Sequence, residues 1–267
     1  MDEGPLYRQI AEDLKRRIET GELASGDPLP TEEQLGEQYG NASRNTIREA
    51  LKWLTTRGLI ETQRGRGSRV ATKTDPFVTT LSASPETGLG GGEGAAYGSE
   101  VEATSRRPST TSPRVEVQQA AGAVAAELQL SEGSTVVCRH QQRSIDGTVW
   151  SLQTSFYPFD LISRGAQRLI EASDIEEGTV TYLDQKLGIR QAGYRDLITV
   201  RPPDDNETIF FKLPSDGRVA VVEISRTAFD DQARPFRLTV SVFPADRNKF
   251  LINVGNVPAD APKRDLS

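Results

Sequence analysis

Two short stretches hold most of the groups in this chain whose chemistry can be read directly. The first places Ser43, Arg44, Asn45, Thr46 and Arg48 within six residues. The second, only sixteen residues further on, sets Arg64, Arg66 and Arg69 around Gly65 and Gly67. A guanidinium presents paired N–H donors that match guanine O6 and N7 or a phosphate, and an asparagine amide matches adenine N6 and N7. This is the chemistry of recognising a polyanion. Catalysis is poorly supplied by comparison. One histidine, His140, and one cysteine, Cys138, leave little for a His-based zinc site or a Ser-His-Asp triad and exclude an intramolecular disulfide framework. Glu223 and Asp184 are isolated carboxylates without a partner for paired acid–base work, so no enzyme, cofactor or metal is expected. A phosphate-cradling P-loop would need Gly-Lys followed by Ser or Thr before a helix, and none stands here.

The whole chain is acidic, with a formal charge of −6, but the charge is unevenly placed. Residues 1–42 carry four Lys/Arg and ten Asp/Glu, whereas residues 43–73 carry eight and two. A compact N-terminal unit would be polarised, and a local positive face is what nucleic acid requires. No apolar run approaches the ~20 residues of a membrane span, and the polar N-terminus is not a signal peptide, so a cytoplasmic protein is expected.

Helices must position these groups. Leu6, Ile10, Leu14 and Ile18 recur every four residues and predict a first helix that Gly21 ends. Thr31 with Gln34 three residues later is a capping box opening a short second helix, from which Leu35 and Tyr39 point inward. Ser43 opens a third, whose inner stripe is Ile47, Ala50, Leu51 and Leu54 and whose outward N-terminal end is Arg44, Asn45, Thr46 and Arg48. Leu59–Thr62 and Arg69–Ala71 read as two strands reversed at Gly65 and Gly67. Three helices followed by a hairpin is the winged helix-turn-helix order. Its third helix would enter the major groove, and the arginines of its wing would reach backbone or minor groove.

Residues 5–71 resemble the DNA-binding domain of GntR-family bacterial transcription regulators, on Leu29-Pro30-Thr31 before the second helix and on Ser43, Arg44, Thr46, Arg48, Ala50 and Leu51 in the third. The resemblance implies a homodimer on an inverted-repeat operator of double-stranded DNA. It sets Arg44 and Arg48 on base- and phosphate-contacting positions, Thr46 on a phosphate or base contact, and Gly65 and Gly67 at the wing tip.

Apolar residues make up only 36% of the chain, and many of its 23 Gly and 15 Pro fall in the middle. Residues 74–113 are therefore expected to be a flexible linker or the mobile first part of a second domain. Beyond them Val117–Leu130 reads as helical, and Thr135–Ser144 and Val149–Tyr157 as a hairpin turning at Asp146-Gly147. Gly178–Leu187 reads as a helix, Gln191–Val200 as a strand, Asn206–Pro214 as a helix, and Val219–Phe229 and Phe236–Phe243 as a further hairpin. The expected fold class is α+β, with an antiparallel sheet in residues 114–250 and a tail over 251–267. Trp150, Tyr157, Phe211, Phe236 and Phe243 are among its expected core.

This half resembles the UTRA effector-binding domain of the HutC branch, which has a chorismate-lyase-like fold. The likeness rests on Glu132-Gly133-Ser134, on Arg143 before Asp146-Gly147, on the run from Gln153 to Ile162, and on the segments around Gly178–Ile189, Val221–Asp230 and Val242–Arg247. Members that bind sugar phosphates use an Arg-x-Arg pair, where this chain has Gln141 and Arg143 with Arg139 two residues earlier; a carboxylate they carry is Arg237 here. Both departures weaken the expectation of a phosphorylated sugar. Arg139, Arg143, Thr154 and Thr179 are the candidate effector-binding residues. The Gly-rich run is reminiscent of plasmid-transfer regulators in this branch. Two functions follow from the likeness: a repressor controlled by a small molecule, or a ligand-free repressor whose second domain only dimerises.

Overall fold

The computed structural model describes residues 4–63, 67–71, 75–81, 94–214, 217–254 and 257. The chain divides into two compact units at Asp75–Pro76.

In the first unit α1 spans Leu6–Glu19, α2 Glu32–Gln38 and α3 Arg44–Thr56, followed by β1, Ile60–Gln63, and β2, Gly67–Val70. Ile10, Ala11 and Leu14 of α1 meet Leu35 of α2 and Ile47, Ala50, Leu51 and Leu54 of α3 in one buried cluster, closed below by Ile60 and Val70. Each such side chain taken from water contributes roughly 1.5–3 kcal/mol, alanine less. Polar contacts set the angle between helices. Tyr39 Oη donates to Asp13 at 2.6 Å, tying the end of α2 to α1. That bond holds the Asp13 carboxyl below its usual range. Burial, and then Asp13, push the Tyr39 phenol up to about 12. The α2 capping box is complete: Gln34 N donates to Thr31 Oγ1, and Thr31 N to Gln34 Oε1. The hairpin pairs Ile60 with Val70 and Gln63 with Gly67, and Gly67 has φ +79, a value that a side chain would strain.

The second unit contains β3 (Phe77–Thr80), α4 (Gly94–Glu102), β4 (Pro108–Thr110), β5 (Arg114–Gln119) and α5 (Gly122–Glu127). The long strands β6 (Thr135–Ile145) and β7 (Thr148–Pro158) follow, then α6 (Asp160–Ser163), a 3-10 turn over Gln167–Ile170 and α7 (Thr179–Leu187). The unit ends with β8 (Gln191–Arg201), α8 (Asp205–Phe210), β9 (Val221–Asp230), β10 (Pro235–Pro244) and β11 (Asn248–Leu251). A seven-stranded antiparallel sheet runs β4-β6-β7-β10-β9-β8, with β5 also pairing β6. Asp146 (φ 51) and Gly147 (φ 77) make the reversal between β6 and β7, as the Asp-Gly pair predicts.

Of residues 74–113, expected as a linker or as the mobile first part of the second domain, the described residues hold β3, α4 and β4, which lie in the second unit. Phe77, Tyr97 and Val101 pack with Ile145 and Trp150, and an apolar cluster of that size orders a segment regardless of its average composition. The Gly-rich run itself falls mostly outside the described residues. Val117–Gln119 is strand, not helix: Val117 pairs across from Val137, leaving only Gly122–Glu127 helical. Its alanine-rich part has the helix propensity, and sheet pairing overrides the rest.

The sheet has two dissimilar faces. One carries Val136, Cys138 and Leu238 beneath Ala125 of α5 and Leu128 just after it. The other carries Val137, Tyr157, Ala228 and Phe236 beneath Leu161, Leu169, Tyr182 and Leu183, from the segment containing α6 and α7.

Candidate nucleic-acid interface and the polar face of the sheet

Ser43 is the N-cap of α3: its hydroxyl accepts from Thr46 N at 3.2 Å and lies 2.8 Å from Thr46 Oγ1. The cap fixes where the helix begins, and with it the direction in which the next residues leave the protein. Ile47, Ala50, Leu51 and Leu54 face inward and are buried, so Arg44, Asn45 and Arg48 are left outside. The side chains of Arg44 and Arg48 are 70% and 59% exposed. Six of the expected contact residues are thus gathered on one capped helix start and the helix that precedes it, Thr31 as the cap of α2 and Ser43 to Arg48 around the cap of α3.

Glu32, the first residue of α2, was not expected at this surface. Arg48 Nε donates to its Oε1 and Oε2 at 3.0 and 3.1 Å, and Arg44 Nε lies 3.6 Å from Oε2. No periodicity in the sequence signals it; Glu32 meets α3 only because Leu35 and Ile47 share one core.

In the wing, Gly67 sits at the start of the return strand. Arg64, Gly65 and Arg66 lie outside the described residues. Arg69 donates to the Gly26 carbonyl at 3.1 Å, while Leu29 N donates to Ser68 O and Val70 N to Asp27 O. The α1–α2 connection therefore clamps β2, and Arg69 takes part in that clamp.

Of the four candidate effector residues, Arg139 and Arg143 face one side of the sheet and Thr154 the other. Arg139 is buried, and its guanidinium donates to the carbonyls of Arg168, Leu169, Glu171 and Ser173 at 2.8–3.2 Å. It anchors the segment between α6 and α7. Thr154 pairs across from His140 and lies 2.9 Å from its Nδ1, on the face opposite Arg139 and Arg143. Burial lowers the His140 pKa, which leaves the ring neutral at pH 7. Thr179 is the first residue of α7, on the side covered by that helix. Arg143 is buried with its guanidinium 4.9 Å from the centre of the Tyr97 ring, whose phenol is pushed up to about 12 by burial.

Beside Arg139 and Arg143 the strand register sets a polar patch that sequence reading missed. Ser151, Gln153 and Ser155 of β7 line up with Thr239 and Ser241 of β10, then with Arg226 of β9 and Asp196 of β8. All but Asp196 are buried. Ser155 and Thr239 hydroxyls are 3.2 Å apart, and Arg226 grips Asp196 through two bonds of 2.7 Å beneath Tyr194. Gln153 Oε1 is buried with no hydrogen-bond partner among the described residues. The signal that could have found this patch is polar residues at i, i+2 inside strands otherwise apolar: Gln153 with Ser155, and Thr239 with Ser241. Glu223 accepts from Arg201 at 2.9 Å, next to the Arg201–Glu207 pair, and is part of an ion-pair network rather than an isolated acid.

Residues 6–70 match the description "Bacterial regulatory proteins, gntR family", and residues 103–249 match the UTRA domain. Over 252 residues the chain is 25% identical to the HTH-type transcriptional regulator GgaR of Escherichia coli K12, covering 94% of this chain and 91% of that one. The HTH-type transcriptional repressor NagR of Bacillus subtilis is 46% identical over 67 residues, 25% of this chain and 27% of its own. A crystal structure of a GntR-family transcriptional regulator superposes with a TM-score of 0.64 at 25% identity, covering 96% of this chain and 99% of that one. PhnF of Mycobacterium smegmatis shares the fold, with a TM-score of 0.55 at 21% identity over 92% of this chain and 99% of its own.

Proposed function

Because the chain belongs to the GntR family of bacterial regulatory proteins, with a DNA-binding helix-turn-helix domain ahead of a UTRA domain, we propose that it is a homodimeric repressor. Two copies of α3 grip an inverted-repeat operator, and a small effector on the polar face of the sheet loosens that grip. One observation carries the reading: Arg44, Asn45 and Arg48 stand exposed at the capped start of a helix whose other side is fully buried. Free N–H groups at such a helix start add an attraction for phosphate. Plasmid-transfer genes are one candidate set of targets, which the genomic neighbourhood would test.

An effector acts only if its affinity differs between the DNA-competent and DNA-released states. A thermal-shift screen of small metabolites, with operator occupancy read in the same mixtures, tests this. The expected result is a compound that raises the melting temperature of the free protein and lowers occupancy. A second reading, a ligand-free regulator whose UTRA domain serves dimerisation, is favoured by the commitment of Arg139 to four carbonyls. It predicts that no compound does both.

Support for the dimer comes from β8. It is the edge strand of the sheet, eleven residues long, and exposes Leu197 (63%), Ile198 and Val200 (67%). A long edge with exposed apolar side chains invites pairing with another strand, and a second copy of the same edge is the simplest closed arrangement. Leu197→Lys combined with Val200→Lys is expected to convert the protein to monomer in analytical ultracentrifugation. A variant that stays dimeric would move the interface elsewhere.

A further inference from the structure

We propose that Glu32 is a positioning residue for DNA recognition: its carboxylate holds Arg44 and Arg48 by their Nε atoms and so favours the operator over arbitrary DNA. The inference rests on the proposed role of those two arginines. A guanidinium has five N–H donors. The contacts to Glu32 use Nε, at 3.0 and 3.1 Å for Arg48 and 3.6 Å for Arg44. The four N–H groups on the two terminal nitrogens of each remain to meet a guanine edge or a phosphate. An exposed arginine is otherwise a mobile side chain with many rotamers, and ordering it on binding weakens the complex. Glu32 restricts both beforehand. The capping box between Thr31 and Gln34 fixes the start of α2, where Glu32 is the first residue.

The same carboxylate acts on discrimination through charge. Binding to arbitrary DNA is driven by phosphate charge and counterion release. A carboxylate set between two arginines lowers the net positive charge offered to phosphate. Matched base contacts depend on donor geometry, which Glu32 maintains. Its removal should therefore help arbitrary sequences more than the operator. Stability is not its contribution, because exposed ion pairs add little.

Glu33, the next residue, supplies the control. It is exposed and makes no ion pair among the described residues. Glu33→Gln removes the same charge from the same turn without touching either arginine. The experiment uses full-length wild type, Glu32→Gln and Glu33→Gln. Affinities are measured over a range of salt for a duplex enriched from a random pool by the wild type, and for a scrambled duplex of equal length and composition. The expected result for Glu32→Gln is severalfold tighter binding of the scrambled duplex and an operator-to-scrambled ratio that falls by about tenfold, on the scale of one recognition contact. Glu33→Gln should leave the ratio unchanged. An unchanged ratio in Glu32→Gln, or an equal fall in Glu33→Gln, overturns the proposal. So does a loss of discrimination confined to one base pair, which would make Glu32 a reader of a cytosine amino group. Arg44→Ala and Arg48→Ala in the same assay test the underlying reading separately. If neither weakens operator binding, that reading fails; if both do while Glu32→Gln keeps the ratio, only this inference fails.

Discussion

Arg139→Ala is expected to destabilise the second unit by about 3–5 kcal/mol, the scale of buried carbonyls losing a donor together with the cavity a deleted side chain leaves. The side chain is only 4% exposed, and its guanidinium donates four hydrogen bonds to the carbonyls of residues 168, 169, 171 and 173. Alanine removes this donor from the carbonyls of Leu169, Glu171 and Ser173, at about 1–3 kcal/mol for each that water does not reach, while the Arg168 carbonyl keeps its bond from Glu171 N. Alanine also leaves a cavity where the side chain packed. Arg139→Lys keeps the charge but not the planar fork, so most of the loss is expected to remain. The two tryptophans make the measurement clean. Trp53 lies in the first unit and Trp150, buried, in the second, so fluorescence during denaturation combined with single Trp→Phe backgrounds assigns each transition. If Arg139 instead serves an effector, the free protein will unfold at the wild-type midpoint and only a ligand-induced shift will disappear. The two outcomes separate an anchor from a binding residue.

Arg44→Ala together with Arg48→Ala is expected to remove measurable operator protection in footprinting. Each bidentate pairing with a base contributes roughly 1–3 kcal/mol of discrimination, so the two together reach from about thirtyfold to about twenty-five-thousandfold. Residual binding should be weak, salt-sensitive and indifferent to sequence. Folding is not the explanation to fear: both side chains are exposed, and the core stripe of α3 is untouched. Their ion pairs with Glu32 are exposed contacts that contribute little to stability. Unchanged operator protection by the double variant would remove α3 as the reading helix.

How much of this was legible in advance differs by scale. The first unit was legible nearly throughout, because its signals are local. A four-residue apolar recurrence, the Thr31–Gln34 box, the Ser43 cap and the glycine ending each helix act within a few positions of one another. The second unit was legible as strands and hairpins, since Asp146-Gly147 and the alternation in β6 and β7 are also local. Element ends were less so. Val117–Gln119 has the neighbours of a helix but the partner of a strand, and that partner, Thr135–Val137, comes some twenty residues later.

The candidate sites divide in the same way. Which residues stand exposed at the start of α3 followed from type and spacing alone, since an N-cap decides the outward end of an amphipathic helix and sequence displays both. By itself the sequence determined the helix-turn-helix order, the polarity of α3 and the presence of an antiparallel sheet. Only the tertiary structure decided that Glu32 sits between Arg44 and Arg48, that Arg139 anchors a loop, and that Thr154 looks away from Arg143. The physical reason is that contacts between elements depend on register and on packing angle. A shift of one residue in strand pairing turns every side chain to the other face, and no single segment records which register its partner will take.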